Sequence, residues 1–314
     1  MSSPPELKEK INDLNITMSN NSPKWNTCFR EGLFVGKVAL VTGGGTGIGY
    51  SITKELAILG ATVVIASRDV NKCQTAADEI NAHLQTISNS GKVVVGPSTS
   101  IRSEDQIVAL ISFIVEKYEK LDYLVNNAGG QFVCAAEDMS QKGFNAVVTT
   151  NLEGTFLMCR EAFNQSMQDH GGSIVNITLG NRNGFPNMSH SGAARAGVEN
   201  MTISLSSEWM ESDVRVNCVR PGVIWTDSGF QNYGPAGDLF LEKVLPAMPA
   251  KRLGTPEEIS SAVCWLLSDG ATYVTGSVVS VDGGSAFHFM PLIEIENTSH
   301  LMPAYGTLPR KAKM

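Results

Sequence analysis

The stretch Thr42-Gly43-Gly44-Gly45-Thr46-Gly47-Ile48-Gly49 joins an apolar run, Val38 to Val41, to a helical pattern that continues from Tyr50 to Leu59. A second apolar run from Thr62 to Ala66 completes a strand-turn-helix-strand unit. Glycines in such a turn let the backbone approach a pyrophosphate, and the amides that open the next helix favour its negative charge. The stretch therefore predicts a dinucleotide site with contacts from Gly43, Thr46, Gly47, Ile48 and Gly49.

The rest of the chain repeats this alternation of apolar runs and helical stretches. Further strand-like runs lie at residues 93–95, 123–125, 174–177, 214–219 and 278–281. The pattern predicts an α/β fold with a single Rossmann-type, doubly wound parallel sheet that binds ligands at the carboxyl ends of its strands. At 314 residues and 42% hydrophobic content, we expect one dinucleotide-binding domain at 34–290, an N-terminal extension at 1–33 and a C-terminal tail at 291–314.

Composition excludes several classes of function. The net charge of −7 and pI near 5.3 argue against a nucleic-acid partner. Six cysteines lack metal-ligand spacing, which predicts reduced thiols and no metal site. Because the sequence has no apolar run of the length that a membrane helix needs, we expect no membrane span.

The end of the second predicted strand indicates which dinucleotide binds. An acidic residue there accepts from a ribose hydroxyl in NAD enzymes, whereas this chain has Ser67 and Arg68. A guanidinium matches the geometry of a phosphate, and the serine adds a hydroxyl donor. We predict NADPH, and the alternative is that Arg68 is a solvated residue at a strand end.

Several motifs together resemble the short-chain dehydrogenase/reductase family. They are Thr-Gly-x-x-x-Gly-x-Gly at 42–49, Asn-Asn-Ala-Gly at 126–129, Asn151, Pro221-Gly222 and Val-Asp-Gly-Gly at 281–284. The resemblance implies further cofactor contacts at Ile101, Asn127, Ala128, Gly129, Arg195, Pro221, Gly222, Ile224 and Thr226. In relatives, the residue matching Asn151 bends a helix and holds a relay water; the alternative is that it only satisfies its own helix. The resemblance also implies a homotetramer with contacts around residues 135–165 and 191–211.

The catalytic helix departs from the family pattern of Tyr-x-x-x-Lys. Ser191 stands at the tyrosine position and Arg195 at the lysine position, so the usual pair is missing. Ser191, Arg195 and Glu199 share one helix face by their spacing. We expect Arg195 to anchor the cofactor ribose and Ser191 to donate to a substrate oxygen. Glu199 either fixes Arg195 as its i,i+4 partner or holds a catalytic water.

Thr178 is a further candidate for a catalytic hydroxyl. In the family a catalytic serine follows Val-Asn-Ile; here Thr178 either supplies that hydroxyl or is an ordinary β-branched residue ending the strand.

A closer resemblance is to peroxisomal trans-2-enoyl-CoA reductases. It is carried by the motifs at 126–132, 184–186, 190–198, 232–234 and 249–258. That subgroup also has an arginine at the position of Arg195, but a tyrosine where this chain has Glu199. The resemblance implies NADPH-dependent reduction of trans-2-enoyl-CoA thioesters. The alternatives are a 2,4-dienoyl-CoA reductase, whose relatives carry an acid at this position, and a catalytically silent member that binds NADPH or acyl-CoA.

The remaining expectations concern the substrate and the location of the protein. Anionic CoA would need cations, and the candidates are Lys251, Arg252, Arg182 and Arg220, each of which is otherwise a solvated charge. Aromatic and apolar residues in the 227–251 segment either enclose an acyl chain or serve packing; they are Phe230, Tyr233, Phe240 and Leu241. The ending Ala312-Lys313-Met314 resembles a peroxisomal address, which predicts an import receptor as partner and a peroxisomal location.

Overall fold

The computed structural model describes residues 27–88, 90–180, 184–226, 245, 248–285 and 304–306. Within them, seven strands form one parallel sheet in the order β3-β2-β1-β4-β5-β6-β7. The strands are β1 (Val38–Thr42), β2 (Thr62–Ala66), β3 (Lys92–Val95), β4 (Tyr123–Asn126), β5 (Gly172–Ile177), β6 (Val214–Pro221) and β7 (Val278–Val281). The predicted α/β class and parallel sheet are confirmed.

Helices cover both faces of this sheet. They are α1 (Gly47–Ile58), α2 (Val70–Leu84), α3 (Glu104–Tyr118), α4 (Gln141–Val148), α5 (Gly154–Ala162), α6 (Ser189–Glu208) and α7 (Pro256–Leu267). A π-helical segment, Thr149–Glu153, joins α4 to α5, and a second, Phe163–Met167, follows α5. Short 3₁₀ turns lie at Ala136–Asp138, Met210–Ser212 and Asp269–Ala271. None of the helices described is long and apolar enough to cross a membrane.

The core consists of two apolar clusters, one on each face of the sheet. The first packs α1, α2 and α7 against the sheet, with Ile52, Ile80 and Val263 fully buried. The second packs α3, α5 and α6 against the other face, with Leu110 and Met158 fully buried. Because alternate side chains of a strand point to opposite faces and both faces are covered, the inner strands are mainly apolar, as the sequence showed.

The strand order places the ligand crevice. Strand β1 pairs with β2 on one side and with β4 on the other, so the chain reverses its direction of winding between β1 and β4. Ligands of doubly wound sheets bind beyond the carboxyl ends of the strands at such a reversal. Here those ends carry Gly43 and Asn127. The domain division at 34–290 remains a prediction; Phe29 and Leu33 of the N-terminal extension pack against the first cluster.

Candidate active site

The glycine turn after β1 has the shape that a pyrophosphate requires. Gly43 and Gly47 have positive φ angles of 65° and 54°. A Cβ atom at Gly49 would lie 2.2 Å from the carbonyl oxygen of Gly43. Helix α1 begins at Gly47 behind an extended Thr46 that makes no side-chain cap, and its first turn contains no acidic residue. The opening amides of α1 therefore suit an anion, and the residues present fit a dinucleotide phosphate.

A threonine network ties the glycine turn to the end of β4. Thr42 Oγ1 accepts hydrogen bonds from the backbone amides of Asn127 and Ala128, each at 3.0 Å. The Asn127 side-chain amide donates to the carbonyl oxygens of Thr42 at 3.0 Å and Gly43 at 3.3 Å. These bonds lie at the reversal of the sheet, so the predicted contact Asn127 fixes the shape of the cradle itself.

A surface cavity of about 760 Å³ lies at the end of β2, lined by residues from Ser67 to Lys72. Arg68 is exposed there. The neighbouring Asp69 caps α2 by accepting from the Lys72 amide at 3.1 Å, and its carboxylate pairs with Lys72 Nζ at 3.6 Å. The nearby acid is thus engaged with Lys72, and Arg68 is exposed at the cavity.

Asn151 lies in the π-helical segment between α4 and α5, where the sequence resemblance placed a helix distortion. Its side chain is buried. It accepts from the Gly130 amide at 2.9 Å and donates to the Gly130 carbonyl at 3.0 Å. Asn151 therefore holds the turn that follows β4, and its role in holding a water stays a prediction.

Arg195 on α6 reaches the centre of the site. Its Nη1 donates to the Ile177 carbonyl at 2.8 Å, and a Cβ atom at Gly129 would lie 2.1 Å from its Nη2. Only glycine at position 129 leaves room for this guanidinium. Burial lowers the pKa of Arg195 to about 10, which still leaves it charged at neutral pH. A cation thus stands where the family has its lysine.

Ser191 and Glu199 are directed away from the roles expected on sequence. Ser191 is fully buried and its hydroxyl donates to Gln131 Oε1 at 2.7 Å. Glu199 does not pair with Arg195 as its i,i+4 partner, and that expectation is wrong. It accepts instead from Arg220 Nε at 2.8 Å and Nη2 at 2.5 Å. The reason is that β6 runs beside the helix and offers a planar guanidinium in bidentate geometry.

Thr178 completes this arrangement at the end of β5. Its hydroxyl donates to Glu199 Oε1 at 3.1 Å and lies 3.3 Å from the Val219 carbonyl. Both acceptors draw the single hydroxyl proton inward. Thr178 therefore presents lone pairs, and no proton, to the cavity that it lines.

A cavity of about 760 Å³ opens between these elements. Its lining includes several of the predicted cofactor contacts, namely Ile48, Asn127, Gly129, Arg195, Pro221, Gly222, Ile224 and Thr226. Among the described residues that line it, Arg195 is the one ionisable side chain. Most of the rest is apolar, including Phe185 of the motif at 184–186 and two residues that the sequence did not single out, Leu179 and Met188. Such a lining suits an uncharged or acyl group held near one cation.

The expected CoA-binding cations are placed differently from the prediction. Arg220 is buried in its pair with Glu199, and Arg252 donates to both oxygens of Glu258 at 2.9 and 2.6 Å. Neither is a solvated charge open to a phosphate, because each already faces a carboxylate. Arg182, Phe230, Tyr233, Phe240, Leu241 and the ending Ala312-Lys313-Met314 lie outside the described residues. In the described part of the chain, no cluster of His, Cys, Asp and Glu could hold a metal ion.

Comparison with known proteins agrees with this architecture. The family described as enoyl-(acyl carrier protein) reductase matches residues 43–286. The peroxisomal 2,4-dienoyl-CoA reductase of Pongo abelii is 36% identical over 85% of this chain and 89% of its own length. A 3-oxoacyl-[acyl-carrier-protein] reductase of Chlamydia trachomatis is also 36% identical, over 82% of this chain and all of its own. Among solved structures, the citronellol catabolism dehydrogenase of Pseudomonas aeruginosa PAO1 is 39% identical with a TM-score of 0.72, covering 83% of this chain and 100% of that one.

Proposed function

The chain belongs to the short-chain dehydrogenase/reductase family of oxidoreductases, and from this premise we propose that it reduces an unsaturated acyl-CoA thioester with NADPH. The observation that carries the proposal is the cavity beside the glycine turn, in which Arg195 is the single ionisable side chain among described lining residues that are otherwise apolar or uncharged polar. An alkoxide-forming carbonyl reduction needs a strong proton donor at the oxygen, whereas an enolate needs positive potential there.

The preferred substrate in this proposal is a 2,4-dienoyl-CoA. Support comes from the peroxisomal relatives, which are named 2,4-dienoyl-CoA reductases that produce a (3E)-enoyl-CoA. The balanced reaction converts 2,4-dienoyl-CoA, NADPH and one proton to 3-enoyl-CoA and NADP⁺. A trans-2-enoyl-CoA is the second candidate, favoured by the arginine at position 195 that the closer sequence resemblance shares.

NADPH, when bound, supplies the hydride. The exposed Arg68 and the cavity beside it support a cofactor with a 2′-phosphate. Gly43, Gly47 and Gly49 leave room for the pyrophosphate, and Asn127 keeps their turn in place. Arg68, Gly43, Gly47, Gly49 and Asn127 are all among the cofactor contacts that the sequence predicts.

Within the cavity, Arg195 stabilises the negative charge that develops on the thioester oxygen. One of its N–H groups is committed to the Ile177 carbonyl, which fixes the plane of the guanidinium, and the Nη2 side faces Gly129. Because no acid is among the described lining residues, the proton to carbon comes from water. Thr178 orients such a water by accepting from it, and Glu199 acts behind Thr178 without touching the substrate.

The proposal includes a place in the cell and an assembly. Peroxisomal names among the relatives and the ending Ala312-Lys313-Met314 together support import into peroxisomes through an import receptor. Exposed apolar side chains on α4, α5 and α6, namely Phe144, Phe156 and Ile203, support a homotetramer built on these helices.

The test is NADPH oxidation by purified protein with 2,4-dienoyl-CoA and trans-2-enoyl-CoA of several chain lengths, followed by identification of the product. A 3-enoyl-CoA product supports the proposal, and turnover of the 2-enoyl thioester alone favours the second candidate. Gly49→Val is the control, since its side chain would occupy the turn and abolish NADPH binding. Tight NADPH binding by the unaltered protein without turnover of either thioester would identify a silent, cofactor-binding member.

A further inference from the structure

Three residues near the C-terminus, Ala304, Tyr305 and Gly306, form a clasp on the outside of the fold. The carbonyl oxygen of Tyr305 accepts a hydrogen bond from the Thr255 hydroxyl. The Tyr305 amide donates to Glu258 Oε1 at 3.4 Å, and its phenol oxygen accepts from the Cys28 amide at 3.1 Å. The clasp therefore joins the N-terminal segment to the start of α7.

The other two residues of the clasp, Gly306 and Ala304, also make close contacts with the fold. Gly306 has a φ of 91°, and a Cβ atom there would lie 2.6 Å from Glu257 Oε2. Both facts favour glycine at this position. On the other side of Tyr305, Ala304 packs against a small separate core made of Trp225, Leu245, Met248 and Leu253, together with Val223.

The clasp is coupled to the cavity through a short path. Thr255, which donates to Tyr305, is the N-cap of α7 in a capping box with Glu258. The next residue back, Gly254, accepts from the Trp225 amide at 2.9 Å and donates to the Val223 carbonyl at 3.0 Å. Val223 and Ile224 line the cavity. The wall of the site is thus two hydrogen-bonded steps from Tyr305.

Glu258 makes this path stiff. Its carboxylate accepts from the Thr255 amide at 2.9 Å, from Arg252 and from Tyr305. One side chain therefore joins the cap of α7, the residue before Leu253 and the clasp. A carboxylate with several donors holds its neighbours in fixed geometry, so displacement of the clasp removes one support of the wall.

We propose that the clasp at residues 304–306 is a positioning element that fixes the 223–226 wall of the cavity and thereby sets the affinity for the ligands that contact this wall. The kinetic part rests on the proposed function, whereas the structural part does not. Eight residues, 307–314, follow the clasp and include the candidate import signal. One part of the tail, residues 304–306, thus supports the 223–226 wall, and another part, residues 307–314, carries the candidate import signal.

Hydrogen exchange of the full chain tests the structural part. A chain ending at residue 303 lacks the Tyr305 carbonyl and amide that bond to Thr255 and Glu258, so its amides at Trp225 and Gly254 should exchange about tenfold faster or more. A chain ending at residue 306 keeps the clasp and should exchange like the unaltered protein. Strand β2 serves as the internal reference and should not change. Unchanged exchange at Trp225 and Gly254 in the chain ending at residue 303 would overturn the proposal.

Kinetics test the positioning part. In the chain ending at residue 303 the KM for acyl-CoA, for NADPH or for both should rise about fivefold or more, with kcat within about twofold, since uniform binding is lost. The chain ending at residue 306 keeps the clasp and should keep the KM values of the full chain. Ile80→Val is a matched control: it loosens the distant core of α2 and should lower thermal stability without moving KM. An equal rise in KM in Ile80→Val would show that the clasp only stabilises the fold in general, which contradicts a positioning role. If the unaltered protein shows no turnover, the proposed function is wrong, and the hydrogen-exchange result alone tests the clasp.

Discussion

Substitution of Glu199 by glutamine separates a role in the fold from a role in the reaction. Glu199 and Arg220 have side chains only 14% and 6% exposed and share two charge-assisted hydrogen bonds. Removal of one partner from a buried pair costs about 3 to 5 kcal/mol, because the other charge stays buried. Glutamine keeps one acceptor oxygen, so we expect the free energy of unfolding to fall by about 2 to 4 kcal/mol.

The same substitution should affect turnover far less. Glu199 lies behind Thr178, so its loss should lower kcat by less than about tenfold, whereas a residue that holds the proton-donating water is worth about 100-fold. Stability is measured by urea unfolding followed through the fluorescence of the four tryptophans, and kcat by NADPH oxidation.

A double-mutant cycle makes the assignment sharper. Arg220→Met alone should be as damaging as Glu199→Leu alone, and the two combined should recover about 2 kcal/mol or more relative to their sum. A coupling energy below about 0.5 kcal/mol would show that the pair does not stabilise the fold. A fall in kcat of about 100-fold in Glu199→Gln, with stability retained, would show that Glu199 takes part in the reaction.

Two other substitutions and one deletion address the cofactor, the pH dependence and the location. Arg68→Asp should erase or reverse an NADPH preference of about tenfold or more, about 1.4 kcal/mol, in calorimetric titrations with both nucleotides; equal affinities in the unaltered protein would contradict the assignment. Burial raises the pKa of Glu55 above its ordinary 4.5. The protonated side chain therefore contributes to the free energy of unfolding; this contribution is complete below pH 4.5 and is lost as the pH rises through the folded-state pKa. Glu55→Gln should therefore flatten the fall of the melting temperature above pH 4.5, and a parallel fall in both proteins would refute this. Deletion of residues 312–314 should move a tagged protein from peroxisomes to cytosol with unchanged melting temperature, and a diffuse full-length protein would count against the address.

Local patterns were sufficient to predict the sheet and the cradle. The apolar runs became strands because a parallel sheet covered on both faces buries most side chains of its inner strands. The glycines at 43, 47 and 49 are determined by one short turn, so their spacing alone indicated its shape. Contacts between residues far apart in the chain could not be predicted from local sequence patterns. Glu199 and Arg220 are 21 residues apart on different elements, and the helix spacing rule favoured Arg195 instead.

One departure from the family pattern is explained by the contact between Glu199 and Arg220. The closer sequence resemblance has a tyrosine at position 199, whereas this chain has Glu199. Either charged residue without the other would be a buried, unpaired charge, at a cost of several kcal/mol. Together they form a bidentate pair behind Thr178, and the carboxylate also accepts a hydrogen bond from the Thr178 hydroxyl. An ion pair therefore stands where the resemblance has a phenol, and under the proposed function the reaction depends on a fixed cation, Arg195, and a water instead of a side-chain acid.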